Sequence, residues 1–163
     1  MNRPISTTSI SGFPGIGTST VAKLYPVAAR DLESSDFHWV KDPMDGHQIQ
    51  NPQGPQNYLD NIKALDKSGM YRVVFVSSHA QIRQLMAQMG IRYTNICPQD
   101  TEEMKTLFLK RYKDRGSPET FIQSLEAHWS EYVQAMVQDP GAMSTIQLTP
   151  ANVNDWASMC FYE

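Results

Sequence analysis

The residues best equipped for chemistry lie between Ser11 and Thr20: Ser-Gly-Phe-Pro-Gly-Ile-Gly-Thr-Ser-Thr. Gly12, Gly15 and Gly17 can take backbone angles that a Cβ resists. Successive N–H groups can then turn inward and cradle phosphate oxygens where a helix begins. From Gly12 to Ser19 the spacing follows the phosphate-loop pattern G-x-x-x-x-G-K-[ST], with Thr18 where Lys is usual. Gly12, Phe13, Pro14, Gly15, Ile16, Gly17, Thr18, Ser19 and Thr20 are therefore the candidate nucleotide-phosphate contacts. Ser19 is placed to put its hydroxyl on Mg²⁺. Thr18 brings a hydroxyl and no charge, so a cation for the β/γ-phosphates must come from elsewhere. The plainer alternative is an ordinary Gly-Pro turn ahead of a helix.

Arg111 and Arg115 are the best candidates for that cation. Their four-residue spacing puts both guanidiniums on one helix face. A planar, bidentate guanidinium suits the charge on a transferring phosphoryl group. The bland reading is a basic helix C-terminus complementing the helix dipole. Asp31 and Glu33 stand at the end of an expected second strand, where ligands of open α/β sheets bind. Asp31 is placed to hold Mg²⁺ through water, and Glu33 to orient an acceptor; a solvated acidic turn is the alternative. Ser77-Ser78-His79 follows the strongest strand pattern. Ser77 or Ser78 can bond a water of the metal shell or cap the next helix. His79 can touch substrate or sit bonded to backbone. Asn51 to Tyr58 is a candidate acceptor-binding segment, Asn57 reading an edge and Tyr58 stacking, or else a Pro-rich connector. Phe37, His38 and Trp39 suit packing better than a base cage.

The elements that must position these residues alternate. Ile5 to Ser11 reads as a strand, and a helix-compatible run, Thr20 to Leu24, follows the loop. Ala28 to Ser35 reads as a short second strand or strand end, and residues 36–56 as a long loop. Tyr58 to Lys67 reads as a helix closed by Gly69, and Tyr71 to Val76 as a buried parallel strand. Ala80 to Met89 is helical, Ile91 to Ile96 a strand, and Thr101 to Lys113 a helix capped by Asp100 or Thr101. Ser117, Pro118 and Glu119 open a helix that runs to about Gln138. Ser144 to Leu148 is a last strand, and Asn152 to Met159 a short last helix. The alternation predicts an α/β fold, a parallel sheet of four or five strands covered on both faces, in one domain spanning residues 1–163.

Composition narrows the partners. The chain has 163 residues, 40% hydrophobic and 19% charged, with a net charge of −3. That size supports one compact domain with a sizeable core. There is no basic surplus to hold a long nucleic acid, which weighs against such a partner. Cys97 and Cys160 show no metal spacing and read as free thiols of a reducing compartment. No signal-peptide pattern and no long apolar run is present, so a cytoplasmic protein with no membrane partner is expected. Nothing in the pattern fixes an oligomeric state.

Taken together, the loop, the acidic strand end, Ser-Ser-His and Arg-x-x-x-Arg-Gly resemble the P-loop kinases of the nucleoside-monophosphate kinase superfamily. More narrowly, the chain resembles small nucleotide-kinase-like proteins encoded by bacteriophages. That resemblance is carried by Asp31 to Ser35, Asn51 to Tyr58, Val76 to His79 and Arg111 to Gly116, and spans about residues 8–150. It implies a three-layer α/β/α fold, use of ATP with Mg²⁺, and a mobile arginine-bearing lid at residues 100–120. It also implies substrate contacts at Ser34, Ser35, Asn57, Tyr58, Ser78 and His79. Thr18 departs from the usual pattern, yet the Gly-Thr-Ser-Thr stretch is similar to the loop of archaeal cytidylate kinases. The expected activity is ATP-dependent phosphoryl transfer to a nucleoside monophosphate or related nucleotide. Such an acceptor needs no strong base, so Glu33 orients it. Two alternatives remain: a kinase for a hydroxymethylated base in DNA, with Asp31 or Glu33 as base, and a nonenzymatic nucleotide-binding module.

Overall fold

The computed structural model describes residues 7–32, 39–41, 48–50 and 54–161. Glu33, Ser34, Ser35, Phe37, His38 and Asn51 lie outside the described residues. In chain order the elements are β1 (Thr8–Gly12), α1 (Thr18–Leu24), β2 (Ala29–Asp31), β3 (Trp39–Lys41) and β4 (Gln48–Gln50). Then come α2 (Gln56–Ser68), β5 (Val73–Val76), α3 (Ala80–Gln88), β6 (Tyr93–Pro98) and α4 (Glu102–Asp114). The chain continues through α5 (Glu119–Ala127), α6 (Trp129–Val137), β7 (Ser144–Leu148) and α7 (Ser158–Phe161).

Five strands form one parallel sheet in the order β2-β5-β1-β6-β7. At its centre Ile10 pairs with Phe75 on one side and Thr94 on the other. Every residue of β5 is buried, as its unbroken Val-Val-Phe-Val run requires of a strand covered on both faces. Alternate side chains of a strand point to opposite faces. Accordingly Val73 and Phe75 join an apolar cluster with α1, α4, α5 and α6, while Val74 and Val76 meet Tyr58, Leu59 and Ile62 of α2 and Ile82 and Met86 of α3. The layers are helix, sheet, helix.

Four expectations need correction, the first being the short last helix read over Asn152 to Met159, where residues 151–157 form turns and the helix is Ser158–Phe161. The stretch 36–56 is not all loop, because β3 and β4 pair as an antiparallel hairpin within it. Their three-residue lengths are too short to stand out from Asp-, Gly- and Pro-rich neighbours. The long helix expected from Pro118 to Gln138 is broken at His128, whose φ of −121° and ψ of 22° leave the helical region. The break lets Trp129 turn inward against Phe13 and Phe108, at centroid distances of 5.4 and 5.8 Å. Ser117 does not cap α5; its Oγ accepts from Arg115 Nε at 2.9 Å instead. The Thr101 cap stands as read: its side chain accepts from the Met104 amide.

Candidate functional site

All five strands carry their C-terminal ends to one edge. β1 lies between β5 and β6, which is where strand order reverses and where open α/β sheets bind ligands. The loop after β1, Asp31 at the end of β2, and Ser77 to His79 after β5 therefore share that edge. Ser11 Oγ donates to the Ser77 carbonyl at 3.0 Å and locks two of these strand ends together.

The glycine loop is held from outside. Phe13 and Ile16 are buried and anchor it in the core. Three successive carbonyls are each bound by a side chain from elsewhere: Pro14 by Tyr112 Oη at 2.6 Å, Gly15 by Arg111 Nη1 at 2.9 Å, and Ile16 by Trp156 Nε1 at 2.7 Å. Gly15 and Gly17 have φ of 88° and 102°, which a Cβ opposes. At Gly15 space forbids it as well, since an added Cβ would lie 2.6 Å from Tyr112 Cε1. With the carbonyls tied back, the amides of Gly15, Gly17, Thr18 and Ser19 donate to no acceptor among the described residues. Four free N–H groups in a turn make a cradle for an anion. The Thr18 methyl lies over Gly12, where a Cβ would come within 2.9 Å of it.

Beside the cradle runs a groove of about 640 Å³, lined by the loop, Arg111, Arg115, Val153, Asn154 and Ala157. Arg111 is half-buried there and bonds Asn154 Oδ1 at 2.7 Å. Burial lowers its pKa from the ordinary guanidinium value, opposed by neighbouring Tyr112. Its guanidinium also lies 5.1 Å over the Phe108 ring. Arg115 is exposed and stacks 5.0 Å over the Tyr112 ring. Arg111, in the last turn of α4, and Arg115, at its C-cap, thus both line the groove beside the loop. One face of that helix is core: Met104, Phe108 and Tyr112 are completely buried at i, i+4, i+8 spacing. The arginine-bearing part of the 100–120 segment is therefore its final turn, on a helix anchored in the core.

On the other flank, Ser78 and His79 line a cavity of about 340 Å³ together with Phe13 and Pro14 of the loop. Ser77 Oγ accepts from the His79 amide at 3.2 Å, so that hydroxyl shapes the turn. Tyr58 is buried, and its hydroxyl donates to the Leu32 carbonyl and accepts from the Ser77 amide, both at 2.9 Å. It joins the ends of β2 and β5 from behind the sheet edge. Asn57 sits in the first turn of α2, its carbonyl accepting from Asn61 at 2.8 Å. Ser19 and Thr20 are exposed in the first turn of α1. Tyr112, Asn154 and Trp156 escaped sequence reasoning. Nothing local marks Trp156, because its partner lies 140 positions away.

Residues suited to ATP are present: free amides, tied-back carbonyls and a groove running on from them. Among the described residues no group of three or more His, Cys, Asp or Glu could hold a metal ion. Mg²⁺ on a nucleotide asks less, one or two protein oxygens beside the phosphates, and Ser19 and Asp31 are of that kind. Among the described residues no helix is long and apolar enough to cross a membrane.

Parallel sheet, strand order and glycine loop define an α/β protein with the P-loop kinase fold. The solved structure of a gluconokinase from Sinorhizobium meliloti 1021 is similar over 98% of this chain and 93% of its own, with a TM-score of 0.52 and 14% identity. No family model matches the sequence, and no curated protein matches it.

Proposed function

We propose that the chain is an ATP-dependent phosphotransferase whose acceptor is a nucleoside monophosphate or a related nucleotide. The observation that carries it is the loop with its Pro14, Gly15 and Ile16 carbonyls tied outward, leaving the amides free at the switch point of a kinase-type sheet. Bound ATP supplies the transferable phosphoryl group. The amides of Gly15, Gly17, Thr18 and Ser19 hold donor phosphates, and Ser19 and Asp31 hold Mg²⁺, the latter through water. Arg111, Val153 and Asn154 border the groove for the donor's base. Arg115, exposed and carried on Tyr112, supplies the cation that Thr18 does not. Catalysis of this kind is positioning and charge neutralisation, with little covalent work for the protein.

The resemblance of Asp31 to Ser35, Val76 to His79 and Arg111 to Gly116 to motifs of small phage nucleotide kinases favours a nucleotide acceptor over a sugar acid. The absent loop lysine favours a second reading, a nucleotide-binding module without turnover. Titration with ADP·Mg²⁺ tests the donor half that both readings share. Binding that weakens in Asn154→Ala and needs Mg²⁺ supports it; no binding removes it.

A further inference from the structure

The cavity between the loop and α5–α6 has a composition that selects its occupant. Phe13 and Pro14 line it from the loop, Phe121 and Leu125 from α5, and Met136 from α6. Ser124 and Tyr132 place two hydroxyls at its side, 3.2 Å apart. Among the described residues no carboxylate lines it, and its one guanidinium is spoken for. Arg83 is buried and bonds Asp139 at 2.6 Å, the Ser78 carbonyl at 3.0 Å and the Ala135 carbonyl at 3.3 Å. Ser78, ahead of α3, and Ala135, on α6, both line the cavity, so this one side chain ties the two elements together beside it. The other ionisable groups of the lining are the Tyr132 phenol and the His79 imidazole, the latter at the exposed start of α3.

We propose that the cavity binds an uncharged planar ring, a nucleobase in chemical class, with Ser124 and Tyr132 reading its edge and Arg83 tying the lining together. The volume of about 340 Å³ suits a ring system. Aromatic walls favour a flat π-face, and each hydroxyl keeps hydrogen-bonding capacity beyond the bond they share. A sugar acid would bury a carboxylate and several hydroxyls against Phe, Leu and Met, with the lining guanidinium of Arg83 already held by Asp139, which is costly. Taking the ring to be part of the acceptor rests on the phosphotransferase reading above; ring binding itself does not.

The test titrates the full chain separately with thymidine, cytidine, adenosine, guanosine, D-gluconate and ADP·Mg²⁺. Wild type is compared with Ala135→Trp, which fills the cavity from an exposed position on α6, and with Ser124→Leu, which fills it from a half-buried position on α5. The expected result is binding of at least one nucleoside, weakened about 10-fold or more by either filling variant that folds, with ADP·Mg²⁺ binding unchanged. Nucleoside binding indifferent to both variants overturns the assignment. So does gluconate binding that the variants abolish, or the absence of any nucleoside binding at millimolar concentration. Loss of ADP·Mg²⁺ binding in wild type instead removes the donor-site reading, and the nucleoside result still decides the ring.

Discussion

Trp156 donates its indole N–H to the Ile16 carbonyl at 2.7 Å, joining the last turns of the chain to the glycine loop near its start. Trp156 is buried and stands edge-on to Phe75 of β5, so the donor is fixed by the core. Trp156→Phe keeps most of the ring and removes the N–H. The expected cost is about 1–3 kcal/mol, that of a buried acceptor left without its partner. Urea denaturation checks the stability, and ADP·Mg²⁺ titration should show weaker binding as the loop loosens.

Gly15→Ala and Gly17→Ala separate strain from collision. Gly17 has φ of 102° but nothing within 4 Å of an added Cβ, so alanine there costs about 1–2 kcal/mol of backbone strain. At Gly15 the same strain is joined by a Cβ 2.6 Å from the Tyr112 ring, whose hydroxyl holds the Pro14 carbonyl. The Gly15 variant should be the less stable and should lose nucleotide binding. Equal melting temperatures for the two contradict this.

Ser19→Ala should leave stability within about 0.5 kcal/mol, because the side chain is exposed. Its magnesium dependence should change instead, with turnover rising to saturation only at higher Mg²⁺. An unaltered magnesium requirement removes Ser19 from the metal shell.

Asp139 makes stability depend on acid. Burial pushes its carboxyl upward, but hydrogen bonds from Asn95, Arg83, Tyr93 and the Gly141 amide outweigh that and hold it below the ordinary range. A depressed folded value means stability that is present above the unfolded pKa of about 3.9 and lost as pH falls through the folded value. Asp139→Asn should flatten that acid slope. It also leaves Arg83 buried without its countercharge, at a cost of about 3–5 kcal/mol near neutral pH. Urea melts across the acid range check both.

Features set by neighbours in sequence could be read before the fold was known. The glycine loop, the strand read over Tyr71 to Val76 and the cap read at Asp100 or Thr101 each depend on a few adjacent residues; the structure has the strand at Val73–Val76 and the cap at Thr101. Features set at long range could not. The break at His128 exists because Trp129 finds Phe13 and Phe108, more than a hundred and about twenty positions away. The three side chains that tie back the loop carbonyls come from residues 111–156, and no spacing rule connects them. Tyr58 carries an aromatic ring and a hydroxyl suited to a ligand; only the sheet reveals that it faces the ends of β2 and β5.

Formation of ADP from ATP·Mg²⁺ with each nucleoside monophosphate in turn, in wild type and Arg115→Ala, tests the phosphotransferase reading most directly. The expected result is ADP that appears only with an acceptor, matched by the acceptor's diphosphate, and slowed about 10²-fold or more in Arg115→Ala. ATP·Mg²⁺ binding without ADP from any acceptor, or ADP formed at the same rate with none, contradicts it.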